Sequence, residues 1–129
     1  MGLRKPVILV VDDVADDRIM ARMILEKNGF SVVEASNWKE ALVKVREGAL
    51  DLVVLDIHMP ELDGIELLGI IRRENSNQEL PVILYTSTGA NQREKYDNKG
   101  ADAFITKYES PCVLVNKIRE LLQTKTQTC

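Results

Sequence analysis

Three features of the sequence predict a doubly wound α/β fold, in which a five-stranded parallel sheet carries helices on both faces. Short apolar runs without a polar face, such as Val7–Val11 and Leu52–Leu55, suit strands buried on both sides. Segments with helical spacing alternate with such runs, five of each, and that alternation calls for parallel strands joined by helical crossovers. The 129 residues, 45% of them hydrophobic, are enough for one domain with a substantial core.

The first strand is Val7–Val11. In the helical segment that follows, Ile19/Met23 and Met20/Ile24 repeat at four-residue spacing, and Asn28-Gly29 is a common helix stop. Ser31–Ala35 is a second, weaker strand. Asn37 is placed to cap a helix carrying Trp38/Leu42 and Ala41/Val45, which stops at Gly48. Leu52–Leu55 is the third strand, and Asp63 leads a helix with Leu67, Leu68 and Ile71 on its inner side. Residues 82–85 form the fourth strand. Residues 91–99 can form a helix, but Tyr96 is its only large apolar anchor; so thinly held a helix is either mobile or simply exposed. Ala103–Thr106 is the fifth strand. Ser110-Pro111 reads as an N-cap with a first-turn proline, opening a helix that turns Leu114, Val115, Ile118, Leu121 and Leu122 inward. Residues 1–123 are expected to form the domain, and 124–129 a disordered tail.

In parallel sheets of this kind, groups for binding or chemistry gather past the carboxyl ends of the strands. Strand one ends at Asp12-Asp13, strand three at Asp56, strand four at Thr86 and Ser87, and strand five at Lys107. Three carboxylates brought close together repel one another and resist ionisation. A hard cation with oxygen ligands, Mg²⁺ above all, relieves that repulsion while keeping room for waters and a phosphate oxygen. Aspartate accepts phosphoryl groups through its carboxylate, and Lys107 with the Thr86 hydroxyl would stabilise the resulting oxygens. Each residue alone has an ordinary explanation: an aspartate pair caps a helix, a lone aspartate ends a strand, a lone lysine is solvated. Their arrival on one sheet edge is what points to a site.

Composition excludes other classes. With 17 Lys and Arg against 20 Asp and Glu, the net charge of −3 gives no basic surface for direct nucleic-acid binding. No segment is long enough to span a membrane, and the apolar run at 7–11 is too short for a signal peptide, so a cytoplasmic location is expected. Cys112 and Cys129 fit no zinc spacing or disulfide framework and are expected to be free thiols.

Five pieces in order resemble the receiver domains of two-component response regulators, the CheY-like family. They are Val10-Val11-Asp12-Asp13, the run from Asp51 to Asp56, the run from His58 to Gly64, the run from Pro81 to Thr86, and the run from Gly100 to Lys107. The resemblance covers residues 5–122 and implies a flavodoxin-like (βα)5 fold with strand order 2-1-3-4-5. It implies that Asp56 accepts a phosphoryl group from a histidine kinase or a small phosphodonor. It also implies that Asp12 and Asp13 hold Mg²⁺ with Asp56, that the His58 backbone carbonyl is a further ligand, and that Lys107 pairs with the phosphoryl oxygens. Thr86 would then turn toward the phosphoryl group and Phe104 follow it inward, repacking a surface formed by the 91–99 segment, the fifth strand and the last helix. Downstream effector or phosphatase proteins would read that surface, and the same face would allow a weak homodimer. On this reading the chain is a signalling domain rather than an enzyme, catalysing at most its own phosphotransfer and dephosphorylation. With only a short tail after the last helix, its output is expected to be protein binding or competition for phosphoryl groups.

Two positions depart from the family pattern. Tyr108 follows Lys107 where a proline is usual, and a trans bond is expected there because a cis bond without proline is costly. The switch aromatic is Phe104 rather than tyrosine, so it has no hydroxyl. His58, the only histidine, is favoured as a loop residue whose carbonyl matters more than its ring, although a base acting near neutral pH is the alternative. Other functions fit less well. A haloacid-dehalogenase-like phosphatase needs a second acid two residues after its nucleophile, and Asp12 is followed by Asp13 and Val14. The glycine-rich motifs of nucleotide-binding folds are missing. A phosphorylation-independent adaptor remains the alternative that Tyr108 leaves open.

Overall fold

The computed structural model describes residues 4–74, 79–87 and 100–123. Its elements are β1 (Val7–Val11), α1 (Ala15–Lys27), β2 (Ser31–Ala35), α2 (Trp38–Glu47), β3 (Leu52–Leu55), α3 (Gly64–Arg73), β4 (Val82–Thr86), β5 (Ala103–Thr106) and α4 (Pro111–Leu122). The sheet is parallel throughout, with order β2-β1-β3-β4-β5. The expected helix at 91–99 and the tail at 124–129 lie outside the described residues.

Strand alternation divides the core into two layers. Leu9, Val11, Val53, Leu55, Val82 and Leu84 pack with Ala41, Leu42 and Val45 of α2 and Leu67, Leu68 and Ile71 of α3. Ile8, Val10, Leu52, Val54, Ile83 and Ile105 pack with Ala21 and Leu25 of α1 and Leu114, Val115 and Ile118 of α4. Each fully buried side chain of this size contributes roughly 1.5–3 kcal/mol. Both faces of β1 and β3 are therefore covered, which is why their sequences show no polar face.

The predicted caps form as expected. Asn37 Oδ1 accepts the Glu40 N–H at 2.9 Å, Asp63 Oδ1 accepts the Glu66 N–H at 2.9 Å, and Ser110 accepts the Cys112 N–H. Gly48 ends α2 with φ at 78°, a conformation that suits glycine.

The four-residue spacing of Ile19/Met23 and Met20/Ile24 marks the helix but not its inner face: Ile19, Met20 and Met23 are exposed, and Ala21 and Leu25 are buried. The helix is rotated so that Arg18 and Arg22 reach Glu34 on β2, an arrangement that apolar spacing alone cannot register. Cys112 is not a free thiol but is disulfide-bonded. It lies part-exposed in the first turn of α4 rather than sealed in the core. No described helix is long and apolar enough to cross a membrane.

Candidate functional site

Asp12, Asp56 and Lys107 each stand one step beyond a strand and are tied to the end of the neighbouring one. The Asp12 N–H donates to Ala35 O, the Asp56 N–H to Val11 O, and the Lys107 N–H to Thr86 O at 2.7 Å. Register, not loop conformation, therefore fixes where these side chains start. Asp12 and Asp56 are buried, and Asp13 is exposed at the rim. One carboxylate oxygen from each of the three lies within 4.8 Å of the others, a spacing that can hold a metal ion.

Lys107 closes the pocket from β5. Its Nζ lies 2.6 Å from Asp12 Oδ2, 2.8 Å from Asp17 Oδ2 and 3.5 Å from Asp56 Oδ2. The absence of proline at position 108 does not misdirect it. Among the described residues there is no cis peptide bond. Glu109 accepts both the N–H and the hydroxyl of Thr106, which closes the turn that aims Lys107 inward. Tyr108 points to solvent, 78% exposed.

The electrostatics are those of an acidic pocket with too few cations. Burial pushes the Asp56 carboxyl above the usual aspartate range, and the Asp12 charge pushes it further. Lys107, the His58 N–H and the Thr86 hydroxyl pull the other way without cancelling the effect. Burial alone would lower the Lys107 ammonium, but hydrogen bonds to Asp12 and Asp17 and the Asp56 charge raise it well above the usual lysine value. Lys107 therefore stays charged.

Thr86 is fully buried at the end of β4, and its hydroxyl donates to the Asp56 carboxylate. Phe104 lies opposite Leu84 in the ladder and packs, part-buried, on the layer formed with α2 and α3. The His58 N–H approaches Asp56 Oδ1 at 3.4 Å, while the residue itself is exposed.

Three supporting residues were not anticipated. Asp17 on α1 pairs with Lys107 across 90 positions of sequence. Arg18 donates to the Asp12 carbonyl at 2.8 Å and pairs with Glu34, bracing the first acidic loop against β2. Gly64 begins α3 against the acceptor loop, with its N–H on Ile57 O at 2.7 Å. A Cβ at Gly64 would fall 2.2 Å from Asp56 O, so only glycine allows this approach. Its place in the run from His58 to Gly64 was the available signal.

Residues 8–119 match the family profile of the response regulator receiver domain. Among curated proteins, the transcriptional regulatory protein ResD of Bacillus subtilis is 39% identical over 123 residues, covering 94% of this chain and 50% of ResD. The phosphate regulon transcriptional regulatory protein PhoB of Escherichia coli is 37% identical over 117 residues, covering 90% of this chain and 51% of PhoB. The chain thus spans about half the length of these two relatives. The response regulator TrrA of Thermotoga maritima, solved in complex with Mg²⁺ and BeF, superposes with a TM-score of 0.82 at 34% identity, covering 90% of this chain and 98% of that one. Profile, relatives, strand order and the acidic strand-end pocket agree: the chain belongs to the response regulator receiver family of two-component signalling.

Proposed function

We propose that Asp56 is the phosphoacceptor of this receiver domain, supplied by a histidine kinase or a small phosphodonor. The observation that carries the reading is the convergence of Asp12, Asp13 and Asp56 opposite a charged Lys107 at the carboxyl edge of the sheet. An Asp56 carboxylate oxygen attacks phosphorus, and an acyl-phosphate bond forms. The bond from phosphorus to the donor's nitrogen or oxygen breaks, and its electron pair leaves with the donor. Lys107 and Thr86 stand beside Asp56 and donate to the oxygens of the transferred group.

The donor set is all oxygen and negatively charged, which suits Mg²⁺. Asp12, Asp13 and Asp56, with the His58 carbonyl, are the residues that would hold it. When bound, it supplies positive charge that offsets the carboxylates and the incoming phosphoryl oxygens. The buried Thr86 and part-buried Phe104 are the proposed switch pair, responding to new acceptors at Asp56 by a shift between pre-existing arrangements. The surface so changed would be read by an effector or phosphatase protein, and the domain works as a signalling module in the cytoplasm.

Incubation with acetyl phosphate and Mg²⁺ should add one phosphoryl group, detectable by intact mass. Asp56→Asn should abolish the labelling, and a chelator should suppress it. Labelling that survives Asp56→Asn would place the acceptor elsewhere. An unlabelled but partner-competent wild type would favour the adaptor reading.

A further inference from the structure

Asp17 belongs to none of the motifs that identify the family, yet its carboxylate lies closer to the Lys107 ammonium than that of Asp56 does: 2.8 Å against 3.5 Å. We propose that Asp17 is a positioning residue that holds Lys107 toward the rim of the site, and that Lys107 must leave it to serve a phosphoryl group on Asp56. The inference rests on Asp56 being the phosphoacceptor.

The three carboxylates around the ammonium differ in solvation. The side chains of Asp12 and Asp56 are 6% and 7% exposed, and that of Asp17 is 43% exposed. Phosphoryl oxygens on Asp56 bring strong new acceptors, and an ammonium has only three protons to give. Releasing Asp12 would take the ammonium from its buried Oδ2, where water has little access, whereas water can replace Lys107 at the half-exposed Asp17. A cavity of about 230 Å³ opens beside this pair, lined by Asp17, Met20, Tyr85, Lys107 and Glu109 among others, so water and the Asp17 side chain both have room. Asp17 is therefore the partner that Lys107 gives up most easily, and its hold opposes the phosphorylated arrangement.

Asp17 also lies in the first turn of α1, where any carboxylate favours the helix dipole. Asp16 lies in the same turn and is exposed, so Asp16→Asn removes the same charge and the same dipole benefit. The test titrates the full chain with beryllofluoride at saturating Mg²⁺, comparing wild type, Asp16→Asn, Asp17→Asn and Asp17→Glu. The Lys107 ammonium is followed by nitrogen NMR in the free proteins. Asp17→Asn should bind the mimic about two- to fivefold more tightly than Asp16→Asn, the scale of one half-solvated ion pair. It should also move the free Lys107 signal, which Asp16→Asn leaves in place, and Asp17→Glu should restore wild-type behaviour. Equal affinities for the two asparagine variants, or an unmoved Lys107 signal, overturn the role of Asp17 alone. Failure of all four proteins to bind overturns the phosphoacceptor reading and this inference with it.

Discussion

At the amino edge of the sheet, Asp51 and Asp102 each precede a strand and close the same ring. The Asp51 N–H donates to Val7 O at 2.8 Å, and the Val7 N–H returns to Asp51 Oδ2 at 2.7 Å. The Asp102 N–H donates to Val82 O at 2.8 Å, and the Val82 N–H returns to Asp102 Oδ2 at 2.9 Å. Each carboxylate also has an arginine: Arg4 reaches both oxygens of Asp51, and Arg72 reaches Asp102 while donating to the Gly100 and Leu80 carbonyls. At the carboxyl edge, Asp12, Asp13 and Asp56 crowd together, and the lysine that Asp12 and Asp56 share is also claimed by Asp17. One edge satisfies its aspartates and holds strands in register. The other leaves its aspartates short of positive charge, and that shortage is what a cation and a phosphoryl switch can use.

The largest effect expected on either edge comes from Gly64→Ala. The added carbon meets the Asp56 backbone, so α3 or the acceptor loop has to move. We expect a loss of about 3 kcal/mol in chemical denaturation, together with weakened Mg²⁺ binding. Next is Asp51→Ala, which leaves the Val7 N–H without its acceptor and Arg4 without its partner. It should destabilise the fold by about 1–3 kcal/mol while leaving phosphorylation of Asp56 intact. Asp51→Asn keeps one acceptor oxygen and should lose less.

The smallest effect has the opposite sign. The Asp56 pKa in the folded protein lies above its unfolded value. Its contribution to stability is therefore fully present below the unfolded pKa and is lost as pH rises through the folded one, so ionised Asp56 opposes folding at neutral pH. Asp56→Asn should raise the melting temperature by about 3 °C at neutral pH, and the gain should fade as pH falls through the aspartate range. Asp51 behaves in reverse. Burial raises its carboxyl, but Arg4 and the Val7 N–H outweigh burial and hold it below the usual range. Its contribution is present above the unfolded pKa and is lost as pH falls through the folded one. Melting curves of wild type, Asp51→Asn and Asp56→Asn across pH would show the two edges responding with opposite signs.

The carboxyl edge was readable in the sequence because strand geometry does most of the placing. Asp12, Asp56, Thr86 and Lys107 each end or directly follow an apolar run, and parallel strands in register bring those positions together. Partners that reach across the fold were not readable. Asp17 meets Lys107 only because α1 and the turn after β5 lie side by side, which no local pattern records. The inner face of α1 was not readable for a related reason. Four-residue spacing reveals a helix, but Ile19 and Met23 share it with the buried pair Ala21 and Leu25, and the ion pairs to Glu34 select the phase. Asp51 and Asp102 carried a usable signal, an aspartate directly before a strand on two occasions, but a lone aspartate there also suits a turn.

The contrast between the edges is tested most directly by carbon NMR titration of the Asp51 and Asp56 side-chain carboxyls in one sample, with and without Mg²⁺. The predicted result is an Asp56 carboxyl that titrates above the ordinary aspartate range and moves down when Mg²⁺ is added, beside an Asp51 carboxyl that titrates below that range and does not move. Two carboxyls that titrate alike, or an Asp56 indifferent to Mg²⁺, would contradict the account.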